Sequence, residues 1–327
     1  MSQAGPHADA SARPSTGDDA VGNGEAPVGE SKSWRDVVGA YVGLTKPRVI
    51  ELLLLTTVPV MFFAERGIPA LGLVAATVVG GALSAGSASA YNCLYDRDID
   101  EQMRRTRRRA LPRHIVSPVS ALVFATTLAV LSTVVLGLWV NWLSAGLSVL
   151  ANAFYVLVYT MLLKRRTTQN IVWGGLAGCF PALIGWTAVT GDLAWTPVVL
   201  FLVVFFWTPP HTWALALRYR EDYRNVDVPM LPVVKPAAEV GRQVVVYSWV
   251  MVATSLLLWP VAGTSLVYPV AAALLGAIFL VEAHRMWSRA KGTEALSEVN
   301  PMRLFHASNL YLSLLFVAVA LDPLLGR

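Results

Sequence analysis

The sequence predicts an all-α polytopic membrane protein, a bundle of nine transmembrane helices around a central cavity. Three observations predict it. Of 327 residues, 55% are hydrophobic and 14% charged, and the mean hydropathy is +0.54; a soluble domain is less apolar and more charged. Apolar runs of about 20 residues, each long enough to cross a bilayer, recur along the chain. The basic residues then fall almost entirely on one side of those runs.

The elements follow in order. Residues 1–31 contain no Leu, Ile, Phe, Trp or Tyr, so they cannot bury a core and are expected to be disordered. The chain divides into a cytoplasmic tail, 1–38, and a membrane domain, 39–327. The tail has no apolar run of the kind a signal peptide needs. Apolar segments follow at 49–64, 71–93, 115–138, 142–163, 171–190, 193–216, 243–262, 265–283 and 304–323. Backbone groups in lipid require internal partners, so each segment is a helix. The first is short and carries Glu51 and Pro59. Pro209 and Pro210 are expected to break or kink the sixth. VPMLPVVKP (228–236) is too rich in proline for a helix and is expected to run extended over the site.

With the N-terminus in the cytoplasm, the inside loops hold the stretches around 95–114, 164–170, 217–242 and 284–303. Of 26 Lys and Arg, only Arg66 and Arg327 then lie outside. An odd number of crossings puts the C-terminus outside. Cys93 and Cys179 stand far apart with no CxxC spacing, and are expected to be small buried residues. Two inside loops, after the second and sixth helices, are long and rich in Asp, Arg and Tyr. Their four-helix separation hints at an internal repeat, and long loops in compact folds usually carry function.

The first of these reads YNCLYDRDIDEQMRRTRRRALPRH (91–114). Asn92, Asp96 and Asp100 recur at i, i+4, i+8, which stacks an amide and two carboxylates on one helical face, ~6 Å apart. Like charges so placed repel unless a cation lies between them. Mg²⁺ takes oxygen ligands and is held by one or two carboxylates together with substrate phosphates. The alternative is a solvated helix end whose acids pair with Arg97, Arg104 and Arg105. The arginines that follow either anchor the loop at anionic lipid or clamp a phosphate. Embedded among membrane spans, they are a poor match for nucleic acid.

The second loop reads WTPPHTWALALRYREDYRNVDVPMLPVVK (207–235). His211, Arg218 and Asp222 recur at i, i+7, i+11 on one expected face, with Tyr219 and Tyr223 beside the charges. Carboxylate-bearing helix ends on one membrane face, with arginines and an apolar cavity, suggest a diphosphate ester with a lipid tail. Trp173, Trp186, Trp207, Tyr91, Tyr95 and Tyr155 are candidates for the aromatic faces that would stabilise an allylic cation.

At these residues the chain resembles the UbiA superfamily of intramembrane prenyltransferases. NCLYDRDIDEQMRRT, KRRTTQNIVWGGLAGCFPALIGWTAVTG and WTPPHTWALALRYREDYRNVDVPMLPVVK carry the likeness, in order, over about residues 40–325. They are most similar to its haem-modifying branch. The resemblance implies a UbiA-like bundle in a bacterial cell membrane that transfers farnesyl from farnesyl diphosphate to a vinyl group of haem B, giving haem O with Mg²⁺ as cofactor. It implies Asn92, Asp96, Asp100 and Asp222 as catalytic, metal-holding residues. Arg105, Arg109, Lys164, Arg218, Tyr223 and His211 are the implied substrate contacts. Haem A synthase or terminal-oxidase assembly proteins are the implied partners. Val226 stands where an aromatic-acid prenyltransferase has a second aspartate, Asp227 follows one position late, and Ala110 stands where proline is common. The competing readings are prenylation of a quinone precursor and, in a different class, a cation-coupled transporter.

Overall fold

The computed structural model describes residues 33–325, and the expected disorder of the tail lies outside these residues up to Lys32. The described residues are helical, without strands. Helix α1, Trp34–Thr45, begins inside the stretch assigned to the tail by composition. Its N-terminus is set by Ser33, whose hydroxyl accepts from the Arg35 amide. Ala40 and Leu44 face inward, while Trp34, Val38 and Val42 stay exposed at i, i+4, i+8, an amphipathic pattern suited to a membrane surface.

The bundle proper runs through α2 (Pro47–Glu65), α3 (Leu71–Tyr95), the short α4 (Arg97–Gln102) and α5 (Pro118–Trp139). It continues through α6 (Trp142–Leu163), α7 (Asn170–Thr190) and α8 (Trp195–Arg218). Then come the short α9 (Arg220–Arg224) and α10 (Leu231–Val234), and the long α11 (Ala237–Ala262) and α12 (Val267–Gly292). The one-turn α13 (Leu296–Val299) and α14 (Pro301–Leu325) complete it. Eight helices among the described residues are long and apolar enough to cross a membrane. The first expected span lies in α2, a helix of 19 residues, in which Leu53–Glu65 is the apolar stretch among the fully described residues.

Small residues let these helices approach, because lipid gives apolar side chains no reason to leave it and packing must supply the attraction. A Cβ at Gly80 of α3 would lie 2.5 Å from Leu136 Cγ of α5. The Ser132 hydroxyl donates to the Gly80 carbonyl at 2.7 Å, and Ser87 donates to the Ala125 carbonyl at 2.8 Å. Gly185 of α7 lies against the backbone of α2, where a Cβ would meet the Thr57 carbonyl oxygen at 2.5 Å. On the other side Trp213, Tyr268, Phe279, Tyr311 and Phe316 fill a large apolar core shared by α8, α11, α12 and α14. Asp322 accepts from the amides of Ser265 and Tyr268, so α14 caps the start of α12.

Two local expectations change. Pro209 and Pro210 do not break α8, which continues to Arg218. The missing prolyl N–H groups remove only the bonds to the Phe205 and Phe206 carbonyls, and neighbouring helices keep the rod together. The proline-rich stretch is extended over 228–230 and again at Lys235 and Pro236, with Leu231–Val234 forming a helical turn between them. Val228, Met230 and Leu231 are buried in the core with Trp213 and Leu217, so the segment plugs into the bundle instead of lying across it.

Candidate active site

Three polar arms meet at one end of the bundle. The first is the α3–α4 junction. Helical bonds continue through it, from the Asp96 amide to Asn92 and from the Asp100 amide to Asp96, each 2.9 Å. The i, i+4, i+8 alignment therefore survives the slight break at Asp96. Asn92, Asp96 and Asp100 are 4%, 0% and 2% exposed, so each carboxylate needs a cation or donors.

The second arm supplies them, and its geometry depends on a change of helix type. From Phe154 to Leu163, α6 is π-helical, a wider winding often found at functional sites. It brings Lys164 to Asp96 Oδ2 as an ion pair and sets the Thr160 hydroxyl 3.2 Å from Asn92 Nδ2. Asn92 Nδ2 also donates to Asp96 Oδ2 at 2.7 Å. Arg165 donates from both terminal nitrogens to Asp98 at 2.6 and 2.7 Å and reaches Asp96 Oδ1 at 3.3 Å. These bonds hold the Asp98 carboxyl below the usual carboxylate range and the Arg165 guanidinium above its own.

The third arm is the α8–α9 turn, tied to the loop after α4. The Arg105 amide donates to Asp222 Oδ2 at 3.4 Å, and Arg105 Nη2 donates to the Tyr223 hydroxyl at 3.1 Å. The same guanidinium lies over the rings of Tyr219 and Tyr223. Arg109 Nη1 donates to Asp100 Oδ2 at 2.6 Å, and Thr106 donates to the Asp100 carbonyl at 2.9 Å. Ala110, Leu111 and Val116 seat this loop in an apolar cluster with α1 and α3. The acids thus pair with Lys164, Arg165 and Arg109, and Arg97 turns back to the Leu94 carbonyl.

Beneath the polar end lies a cavity of about 340 Å³ whose wall is mostly apolar and small-sided, with Gly81, Ala85, Ala88 and Gly178 among its lining. Tyr155, Tyr159 and Trp207 give it aromatic faces, and Lys46 stands on its rim. Lys46 has φ +52° and donates to Asn92 Oδ1 at 2.6 Å, joining cavity to carboxylate row. Lys46, Arg165 and Tyr159 are absent from the sequence-derived site. The KPR run before α2 and the KRR run after α6 are the only local traces of the two cations.

The sequence placed His211, Arg218 and Asp222 together on one face, and the structure separates them. Asp222 sits on α9 after a break at Tyr219, and Arg218 is exposed at the end of α8. His211 lies ~16 Å along the chain from Asp222 by helical rise. Its ring stacks on Trp207 at 4.1 Å and meets Phe305 at a tilt at 4.6 Å, and Nδ1 shares a 2.8 Å hydrogen bond with the Ser308 hydroxyl. Of the proposed aromatic faces, Tyr155 and Trp207 line the cavity, Trp173 is largely exposed, and Tyr95 lies beneath Arg165. Asp227 is exposed in a left-handed conformation, so the second loop contributes Asp222 alone.

Among the described residues no three His, Cys, Asp or Glu gather at metal-ligating separation. The donors nevertheless suit a hard dication: three buried carboxylates and an amide, all oxygen-bearing and each now bound to a hydrogen-bond donor. Mg²⁺ is commonly completed by substrate phosphates instead of an all-protein cage, so an open donor set of this kind fits it.

A model of the UbiA prenyltransferase family matches residues 53–309. A protein named protoheme IX farnesyltransferase from Nocardioides sp. is 82% identical over 91% of this chain and 95% of its own length. One of the same name from Cutibacterium acnes is 60% identical, over 90% of this chain and 87% of its own. Another from Leifsonia xyli is 57% identical over 94% and 99%. Among solved structures, a digeranylgeranylglyceryl phosphate synthase superimposes with a TM-score of 0.71 at 14% identity, covering 88% of this chain and 99% of its own. A UbiA homologue from Archaeoglobus fulgidus bound to DMAPP and Mg²⁺ gives 0.65 at 17%, over 86% and 99%. At these identities the structural likeness concerns the fold.

Proposed function

The chain belongs to the UbiA prenyltransferase family, and we infer that within it the protein is a protoheme IX farnesyltransferase. It transfers the farnesyl group of farnesyl diphosphate to a vinyl group of haem B, giving haem O. The observation that carries this is the 82% identity over 91% of this chain to a protein of that name.

Asn92, Asp96, Asp100 and Asp222 would hold Mg²⁺, which supplies charge to draw electrons onto the departing diphosphate. Lys164 and Arg109, now paired with Asp96 and Asp100, are placed to turn to the diphosphate oxygens when it binds. Arg105 is aimed by the Tyr219 and Tyr223 rings and adds a guanidinium fork to the same end. Lys46 reaches the diphosphate from the cavity side. The farnesyl chain lies in the apolar cavity, where exclusion of water protects the allylic cation and the faces of Tyr155, Tyr159 and Trp207 stabilise it. The terminal vinyl carbon attacks farnesyl C1 as its bond to the diphosphate oxygen breaks, and water adds to the resulting cation and gives up a proton to solvent.

The membrane domain spans 39–327 in this reading. With the site-bearing end in the cytoplasm of a bacterial cell, the N-terminus is inside, as the one-sided basic residues favour. The product passes to haem A synthase or to oxidase assembly. Purified protein given haem B, farnesyl diphosphate and Mg²⁺ should yield haem O by mass spectrometry. Prenylation of an aromatic quinone precursor with haem B untouched would refute the assignment.

A further inference from the structure

A second groove lies apart from the reaction cavity and shares no lining residue with it. It runs between α12 and α14, holds about 410 Å³, and is floored by Ala277, Ile278, Val281 and Ala307. Ile278 and Val281 are 66% and 50% exposed, so this floor faces lipid. At its upper end stand Glu282, Arg285 and Arg303. This end of the bundle also carries the aspartates, because Arg220 beside Asp222 pairs with Glu294 just beyond α12.

The charges there do not balance. Buried Glu282 accepts from Arg289 Nη2 and from Arg303 Nε, both at 3.0 Å. Arg289 also donates to the Val299 carbonyl at 3.1 Å. Arg285 is exposed and makes no ion pair with a described residue. Three guanidinium groups therefore face one carboxylate, an excess of two positive charges above an apolar trough. Arg303 engages Glu282 through Nε, which leaves its terminal nitrogens for a further acceptor.

We propose that this groove binds one anionic glycerophospholipid, its phosphate between Arg285 and Arg303 and an acyl chain along the alanine-floored trough. Any acyl chain fills such a trough; the arginines select the headgroup that stays. A guanidinium fork matches phosphate oxygens, and the anion offsets the local excess charge. From Ala277 to Arg285 is two helical turns, ~12 Å, so the trough extends from headgroup level into the acyl region.

Native mass spectrometry tests this, with the full chain released from nanodiscs of equal phosphatidylglycerol and phosphatidylcholine bearing identical acyl chains. The wild type is expected to retain one phosphatidylglycerol in preference to phosphatidylcholine. Arg285→Ala should lower that preference about fivefold, the effect of losing one basic side chain beside an anionic headgroup. Ala307→Trp fills the trough, keeps every arginine, and should reduce retention of both lipids. Arg242→Ala, an exposed arginine elsewhere at the same end that already pairs with Glu239, should change nothing. Equal retention of both lipids by the wild type, an unchanged preference in Arg285→Ala, or an equal fall in Arg242→Ala overturns the proposal. Displacement of the lipid by inorganic phosphate also overturns it, since the arginines would then take a free anion. If the tryptophan variant does not fold, the exposed Arg285→Ala still decides.

Discussion

Lys46 donates its ammonium to the side-chain oxygen of Asn92 at 2.6 Å, although 46 positions separate them in the chain. Because Lys46 also lines the cavity rim, this bond fixes where the apolar chamber ends and the polar site begins. Lys46→Met should therefore weaken diphosphate binding selectively. A charged hydrogen bond contributes roughly 1.5–3 kcal/mol, so kcat/KM for farnesyl diphosphate should fall about 10- to 100-fold. Haem affinity should stay unchanged. Steady-state kinetics with each substrate varied separately check this; an equal loss for both substrates would mean a general collapse of the site.

Asp96→Asn and Asp100→Asn each remove a buried carboxylate paired with a cation. Turnover should drop about a thousandfold or more, the scale of losing several kcal/mol of metal-assisted charge stabilisation. Both proteins should still extract as monodisperse species, because the helices are held by packing distant from these side chains. Chelation of divalent ions should lower wild-type turnover as far and leave the residual rate of the variants unchanged.

His211 contacts Trp207 and Ser308, and the Trp207 indole nitrogen donates to the Ser308 carbonyl at 2.8 Å. This arrangement makes His211 a positioning residue for a cavity wall. His211→Ala and Ser308→Ala should each lower kcat by up to about tenfold, the scale of one lost hydrogen bond. Neither should alter the absorption spectrum of bound haem. A spectral change confined to His211→Ala would instead mark it as an iron ligand.

Gly81 lines the cavity, and a Cβ placed there would have no neighbour within 4 Å. A large side chain would therefore enter ligand space without disturbing the helices. It lies 15 positions before Asp96, ~22 Å along α3, so the obstruction would meet the far end of a prenyl chain. Gly81→Phe should reduce farnesyl transfer at least tenfold while sparing transfer of geranyl, as competition between the two diphosphates would measure. Equal loss of both would contradict it.

Much of this molecule is legible in the residue order because its causes are local. Hydropathy over about 20 residues marks the spans, since lipid forces each apolar run to satisfy its own backbone. The Asn92–Asp96–Asp100 alignment follows from helical period, and it persists because the backbone bonds run through the α3–α4 break. Asp222, Arg105, Arg109, Lys164 and Tyr223 were all named from their motifs and do meet at one end of the bundle. What escaped depends on contacts between distant segments. Periodicity alone put His211 on the face of Asp222, but the break at Tyr219 and the packing of α14 send it behind Trp207. The Lys46–Asn92 and Arg165–Asp98 pairs cross 46 and 67 positions. The π-helical winding that turns Lys164 toward Asp96 leaves no composition signal. Sequence by itself determined the helices and the chemical inventory of one membrane face. Which cation neutralises which carboxylate was decided only by tertiary packing, because a buried charge takes the partner that the neighbouring helix brings within reach.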